Sequence, residues 1–261
     1  MKKPVIHMEQ GGEGEAFYME LMKFLKKNKI SFIIGGTYAL RYYTGLDRPT
    51  KDIDIFCKAG DYPKIMKLCA EHGYKTEILD DRWLAKIRKD KYFIDIIFGS
   101  ISGTWTITDE WLEAAPKGKI SNLSVYFTPP EQLIVSKLYR MGRGHFDGAD
   151  VTHMILKQGK KINWKILMNL IEPYWEILLI HILLFRFTYP SDRDIVPSEI
   201  LHELLDRIHA QIDIPTPKEK ICRGSLLSHK QYDIAYTKWG YKDVTQFDNR
   251  IYAKSENSRN R

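Results

Sequence analysis

The sequence has very little cysteine, with three residues in 261: Cys57, Cys69 and Cys222. Their number is odd and no two of them form a C-x-x-C pair, which excludes a disulfide framework and disfavours a structural zinc site. We therefore expect the chain to function in the reducing cytoplasm.

Long apolar runs are also missing. The longest, residues 177–187, is interrupted by His181 and Arg186 and is far shorter than the ~20 residues that cross a bilayer. It predicts a core helix and no membrane partner. The basic first residues lead into Glu9 and Glu13 without an apolar stretch, so we expect no export signal.

The composition is 44% hydrophobic, 12% aromatic and 28% charged, which excludes a wholly disordered or collagen-like chain. The length is enough for one large domain or two modest ones. Lysine and arginine number 40 against 33 for aspartate and glutamate, a net charge of +7. This mild excess is compatible with a nucleotide, RNA or another anionic partner, and equally with simple solubility.

The chain divides into two halves with different periodicity. Apolar spacing in the first half predicts helices at 16–28, 37–43 and 61–72 and strands at 31–34, 51–57, 74–79, 83–88 and 92–98. A hairpin or edge strand is predicted at 120–127. From Pro129 onward it predicts helices at 130–142, 148–158, 163–170, 173–187 and 197–211.

The predicted fold class is therefore α/β (α+β). A mixed-sheet domain at 1–128 precedes a helical domain at 129–214 and an extended tail at 215–261. The tail contains scattered aromatic residues, and its last segment, 254–261, has no apolar residue. We expect that last segment to be disordered.

Two aspartates in the second strand are the first candidates for chemistry. Asp52 and Asp54 lie two residues apart, so both face one side of the strand while Ile53 and Ile55 face the other. Two close carboxylates repel unless a cation lies between them, and their hard oxygen atoms suit Mg²⁺. Asp95 lies in a similarly apolar strand, and three such carboxylates can hold one or two ions for phosphoryl displacement. The alternative is an ordinary solvent-facing strand.

A glycine pair offers a phosphate site. Gly35 and Gly36 end a strand, and the following residues can begin a helix at once. Backbone N–H groups and the positive end of a helix favour an anion at such a turn. On its own, a glycine pair is more often a simple turn.

Taken together, these elements resemble the nucleotidyltransferase superfamily that includes DNA polymerase beta. The resemblance is closer to its small bacterial members of the MNT and antibiotic-nucleotidyltransferase types, and it covers roughly residues 31–155. The motif elements occur in the family's order: Gly35-Gly36-Thr37, Arg48, Thr50, Asp52-Ile53-Asp54 and Asp95.

The resemblance implies transfer of a nucleoside monophosphate from a nucleoside triphosphate to an acceptor hydroxyl, with Mg²⁺, or Mn²⁺ in its place, and release of pyrophosphate. Gly35–Thr37 would bind phosphate. Asp52 and Asp54 would bind both metal ions, and Asp95 would bind the catalytic ion and take the acceptor's proton. Thr37 departs from the family's Gly-Ser form, and its extra methyl group would narrow the phosphate site.

A basic pair lies on the helix predicted at 130–142. Lys137 flanks the apolar stripe and Arg140 lies one turn further along the same side. By the resemblance, both would face the β- and γ-phosphates; the alternative is a lysine that extends past the core to water. Asp147 and Asp150 are expected to be a helix cap or first-turn charges of the next helix, and are the next candidates for a third carboxylate.

The acceptor class is left open by the sequence, and small molecules, RNA ends and protein hydroxyl groups all fit. The net charge favours an anionic acceptor. The alternative to an enzyme is a non-catalytic nucleotide-binding or antitoxin-like protein of the same fold, with a toxin–antitoxin-type partner. An RNA-binding protein without nucleotide chemistry would need clustered lysines, and those in this sequence are dispersed.

Overall fold

The computed structural model describes residues 5–6, 12–50 and 52–245. Its helices are α1 (Glu13–Lys27), α2 (Gly36–Thr44), α3 (Tyr62–Glu71), α4 (Asp109–Glu113), α5 (Pro130–Leu138), α6 (Gly148–Gln158), α7 (Trp164–Leu170), α8 (Trp175–Thr188), α9 (Ser198–Ile212) and α10 (Ser225–Thr237). Its strands are β1 (Val5–Ile6), β2 (Ile33–Ile34), β3 (Ile53–Phe56), β4 (Lys75–Asp80), β5 (Leu84–Lys89), β6 (Tyr92–Ile97), β7 (Lys117–Ile120), β8 (Leu123–Tyr126), β9 (Met141–Gly142), β10 (His145–Phe146), β11 (Ile221–Cys222) and β12 (Lys242–Asp243). The predicted α/β (α+β) class is confirmed.

A five-stranded mixed sheet in the order β2-β3-β6-β5-β4 is the centre of the N-terminal half. Strands β3 and β6 are parallel, and the other neighbours are antiparallel. Ile53 and Ile55 are fully buried, whereas Asp54 between them is partly exposed. The predicted alternation of β3 therefore gives this strand an apolar face and an opposite face that carries carboxylates.

The apolar core continues from the sheet into the helical half. Helix α1 contributes Phe17 and Leu21, and helices α5 and α6 contribute Ile134 and Met154 to the same cluster of buried side chains. Helix α2 contacts β3 as well as α5 and α6. This packing fixes the start of α2 between the carboxylate strand and the helical half. The boundaries predicted at residues 128 and 214 stay predictions.

Helix α8 is buried on one side only. Phe185 is fully buried, whereas Leu183 and Phe187 on the other side are exposed. The predicted helix is therefore present, but only one side of it belongs to the core.

Within the described ranges no single helix is long and apolar enough to span a bilayer. Helix α7 and residues Glu172–Thr188 meet that criterion only as a pair, which is bent by 75°.

Two sequence predictions are wrong. The helix predicted to reach residue 142 ends at Leu138, because the chain reverses there in the hairpin of β9 and β10; Arg140 therefore follows the helix instead of lying on it. The described part of the predicted extended tail contains α10 with β11 and β12 on either side. Buried Leu226 attaches this segment to the main core. The disorder expected for 254–261 concerns residues outside the described ranges.

Candidate active site

The three predicted carboxylates line one cleft. In the parallel pairing of β3 with β6, Asp54 lies directly opposite Asp95, and Asp52 precedes β3 with its carboxylate accepting a hydrogen bond from Thr50 at 3.0 Å. All three side chains line a cavity of about 760 Å³. The structure thus brings together groups that lie on two separate strands of the sequence.

Asp54 lies where a negative charge is unfavourable. Burial, together with the neighbouring charges of Asp52 and Asp95, raises the pKa of Asp54 to about 7, and Lys137 and Arg140 only partly oppose this. A carboxyl group in this position favours either a proton or a nearby cation.

Asp95 has a cationic partner that the sequence analysis did not identify. Lys86 on β5 is paired with Asp95 across the sheet, and its Nζ lies 2.6 Å from Asp95 Oδ1 with both side chains 14% exposed. Burial raises the pKa of Asp95, and Lys86 offsets part of that rise. The sequence indicated this ion pair only in that Lys86 lies in the predicted strand 83–88, which precedes the predicted strand of Asp95.

The glycine pair approaches the carboxylates closely. Gly35 N–H donates a hydrogen bond to the Asp54 carbonyl at 2.9 Å, and Gly36 has φ +52° at the start of α2. A Cβ at Gly36 would lie 1.6 Å from Asp54 Oδ2. Glycine is therefore needed here both for its backbone conformation and for contact with Asp54, a requirement separate from the predicted phosphate contact.

A second ionic network lies beside the glycine turn. Asp150 is 1% exposed and accepts hydrogen bonds from both terminal nitrogens of Arg48, at 2.8 and 3.0 Å. Lys137 Nζ donates to the same carboxylate at 2.8 Å, and Arg48 also donates to Thr37 Oγ1 at 3.3 Å. This network links the end of α5, the start of α6 and the loop before β3.

Asp147 and Arg140 complete this network. Asp147 lies 3.2 Å from Lys137 Nζ and 3.4 Å from Arg140 Nε, and makes no capping hydrogen bond at the start of α6. Asp150 lies in the first turn of α6 as predicted, and Asp147 occupies the N-cap position. Both are in addition ion-pair partners of the predicted phosphate-binding residues. Lys137 is buried instead of extending to water.

Similarity to known proteins extends over the sheet and most of the helices that border this cleft. Residues 15–181 match the protein family described as "Nucleotidyl transferase of unknown function (DUF2204)". The chain belongs to this family. The superfamily resemblance predicted from the motifs is thereby confirmed.

The solved structures that resemble this nucleotidyltransferase are distant from it in sequence. Lincomycin-bound lincosamide antibiotic adenylyltransferase LnuA is 18% identical, with 55% of this chain and 96% of that chain covered and a TM-score of 0.40. ANT(2")-Ia in complex with adenylyl-2"-tobramycin is 15% identical (67% and 97% covered, TM-score 0.43). JHP933 from Helicobacter pylori is 14% identical (76% and 97% covered, TM-score 0.38). No curated protein matches the chain.

The carboxylates of this nucleotidyltransferase can be tested as metal ligands. Asp52 and Asp54 supply the hard oxygen atoms that Mg²⁺ prefers, and a cation between them would relieve the repulsion of their charges. In the part of the chain that the structure describes, no group of three or more His, Cys, Asp or Glu is already arranged around a common point. The donors at Asp52 and Asp54 fit a divalent ion, whereas Asp95 already has Lys86 as its cationic partner.

The remaining walls of the cleft include residues that the sequence analysis did not connect with the site. Trp83 and Trp105 line it beside β6, and Ser228, His229 and Lys230 line it from α10. Aromatic residues in the tail were recognised, but the aromatic residues that line the cleft, such as Trp83, Trp105 and Tyr139, all precede the tail. No local pattern predicts that α10 reaches the cleft, because the contact joins residues far apart in sequence.

Proposed function

We propose that this protein transfers a nucleoside monophosphate from a nucleoside triphosphate to an acceptor hydroxyl and releases pyrophosphate. The observation that carries the proposal is the register of β3 and β6, which puts Asp54 opposite Asp95 at a cleft bordered by Gly36. Membership of a nucleotidyl transferase family supports the general activity.

The triphosphate occupies the side of the cleft lined by Gly36 and Thr37. The N–H of Gly35, predicted as a third phosphate contact, already donates to the Asp54 carbonyl. Backbone N–H groups at the start of α2 favour phosphate oxygens, and Lys137 and Arg140 approach from the helical half. Both cations have carboxylate partners, so Asp147 and Asp150 hold them in place before the nucleotide binds. Such preorganisation lowers the ordering cost of binding.

Asp52 and Asp54 are the residues that would hold Mg²⁺ or Mn²⁺. A bound divalent ion polarises the phosphoryl oxygens and favours the displacement. In this proposal the α-phosphate lies between these two carboxylates and the glycine turn, where the acceptor hydroxyl can reach it. Burial and the neighbouring charges raise the pKa of Asp54 to about 7, so Asp54 would have to be ionised to act as a ligand.

Asp95 is the proposed proton acceptor. The acceptor oxygen forms a new bond to the α-phosphorus, the bond from that phosphorus to pyrophosphate breaks, and the hydroxyl proton passes to a carboxylate oxygen of Asp95. Burial raises the pKa of Asp95, and the Lys86 ammonium group offsets part of that rise and so favours the ionised form that accepts the proton. Asp95 and Lys86 thus act as a pair.

The deciding experiment is incubation of the protein with each α-labelled nucleoside triphosphate, Mg²⁺ and a cell extract. We expect label in RNA, protein or a small molecule, which identifies donor and acceptor class together. Asp52→Asn should reduce transfer more than ~100-fold. Absence of transfer by the wild type, with nucleotide binding retained, would support the non-catalytic alternative and contradict the proposal.

A further inference from the structure

The segment after α9 forms a small unit that packs on the rest of the protein. Strands β11 and β12 pair in parallel on either side of α10, and Asp243 is 3% exposed at their junction. Asp243 accepts hydrogen bonds from Ser225 Oγ at 2.5 Å and from the backbone and hydroxyl groups of Thr245. We call residues 221–245 the C-terminal unit; it lies outside the family match at 15–181.

The C-terminal unit is docked onto the hairpin of β9 and β10. The backbone N–H of Arg143 donates to Gln231 Oε1 at 2.6 Å, and a Cβ at Gly142 would lie 3.1 Å from Ser228 Oγ. The backbone of Ser228 is extended and interrupts α10. Residues 227–230 form one wall of the cleft as a result.

The cationic residue on this wall differs from the other cationic residues of the cleft in its partners. Lys137, Arg140 and Arg48 all have carboxylate partners. Lys230 is exposed at the cleft and has no carboxylate or hydrogen-bond partner among residues 5–6, 12–50 and 52–245. His229 is 68% exposed and lies 3.6 Å from Asp243. Lys230 therefore adds a cation to a cleft that Arg140 also lines.

We infer that the C-terminal unit is part of the active site and that Lys230, with His229 beside it, binds the terminal phosphates of the nucleoside triphosphate. This inference rests on the proposed function. The phosphates furthest from the carboxylates carry most of the donor's negative charge, and the hairpin that holds the C-terminal unit directly follows Arg140. A lysine held there as a point charge suits a phosphate group.

The test measures binding by calorimetry on the full chain, with two probes: inorganic tripolyphosphate without metal, and each nucleoside triphosphate with Mg²⁺. Lys230→Ala should weaken binding of both probes about tenfold and reduce the dependence of that binding on salt. Lys230→Arg keeps the charge and should restore most of the affinity. Lys238→Ala, at the far end of the same helix and outside the cleft, is the matched control and should match the wild type.

The outcomes separate this inference from the proposed function. Lys230→Ala with wild-type affinity for both probes overturns the inference, as does a wild type that binds no tripolyphosphate; loss of transfer in Asp52→Asn would still support the proposed function. Weaker tripolyphosphate binding in Lys230→Ala supports the phosphate site even where no transfer occurs. Normal triphosphate affinity combined with slower transfer would assign Lys230 to the acceptor and overturn the inference as stated.

Discussion

At the scale of the residue, the fold places the Asp54 carboxylate where burial and neighbouring carboxylates disfavour its negative charge. Its carboxylate lies against Gly36 and faces the charges of Asp52 and Asp95. Because its pKa is raised to about 7, the folded protein keeps a proton that the unfolded chain releases above about pH 4. The free energy of unfolding contributed by this group is therefore lost as pH rises from about 4 through 7.

Asp54→Asn should remove that pH dependence. We expect the metal-free variant to be more stable than the wild type at pH 8, by on the order of 2 kcal/mol, and similar to it near pH 4. Urea unfolding at several pH values measures the difference. Asp81→Asn, in the exposed turn before β5, is the control and should leave the profile unchanged. A wild-type profile in Asp54→Asn would contradict the explanation by partial burial and by the neighbouring charges of Asp52 and Asp95.

Asp95 has a structural and a chemical role that one substitution cannot separate. Asp95→Asn should reduce transfer more than ~100-fold, but it also leaves the largely buried Lys86 without its charged partner and should cost about 1–3 kcal/mol of stability. The double variant Lys86→Met with Asp95→Asn should regain stability without regaining transfer. Thermal unfolding and single-turnover transfer would be measured side by side. Recovery of transfer in the double variant would show that Asp95 is not the proton acceptor.

At the level of elements, helices α5 and α6 and the loop before β3 are joined by one carboxylate. Burial alone would raise the pKa of Asp150, but Lys137 and Arg48 outweigh that effect and hold it below its ordinary value. The stabilisation that the ion pairs of Asp150 give to the fold is therefore present above the pKa of about 4 that this carboxyl has in the unfolded chain, and it is lost as pH falls below that value.

Asp150→Asn should loosen all three elements at neutral pH. It leaves two cations with one fewer negative charge between them, and we expect a loss of about 2–4 kcal/mol at pH 7 that shrinks in acid. Asp147→Asn is the matched comparison, because Asp147 is more exposed, and its loss should be smaller. Chemical denaturation at pH 7 and pH 3 provides the measurement. Equal losses at both pH values would exclude the ion-pair explanation.

The elements themselves were largely predictable from sequence. Period-two alternation located β3 and β6, and helical spacing located α6 and α9 within one or two residues. These patterns report local burial, which each segment carries in its own residues. The hairpin after α5 was missed because its two strands have two residues each, too few for a periodic pattern.

The ionic contacts were not predictable in the same way. Arg48 and Asp150 are 102 residues apart, and a single sequence contains no information on which charges meet over that distance. The carboxylate set was an exception, because Asp52, Asp54 and Asp95 belong to motifs whose order along the chain is typical of the superfamily. Lys230 has no motif and no periodic context, so only the folded chain brings it to the cleft.

At the scale of the whole molecule, the cleft is bounded by three parts of the chain. The sheet supplies Asp54 and Asp95, the helical half supplies Lys137 and Arg140, and the C-terminal unit supplies Lys230. The core continues from the sheet through the helices to Leu226. A ligand that contacts all three parts would therefore stabilise the fold as a whole.

Nucleoside triphosphate with Mg²⁺ should protect these three parts together. At a ligand concentration of a hundred times Kd we expect about 2.7 kcal/mol of added stability, and slower amide hydrogen exchange in α2, α5 and α10. Strand β4, at the far edge of the sheet, is the internal control and should exchange at its ligand-free rate until global unfolding dominates. In Lys230→Ala the protection of α10 should fall while that of α2 persists, because the substitution leaves the proposed phosphate contact at Gly36 and Thr37 unchanged. Wild-type protection confined to α2 and α5 would mean that the nucleotide does not reach the C-terminal unit.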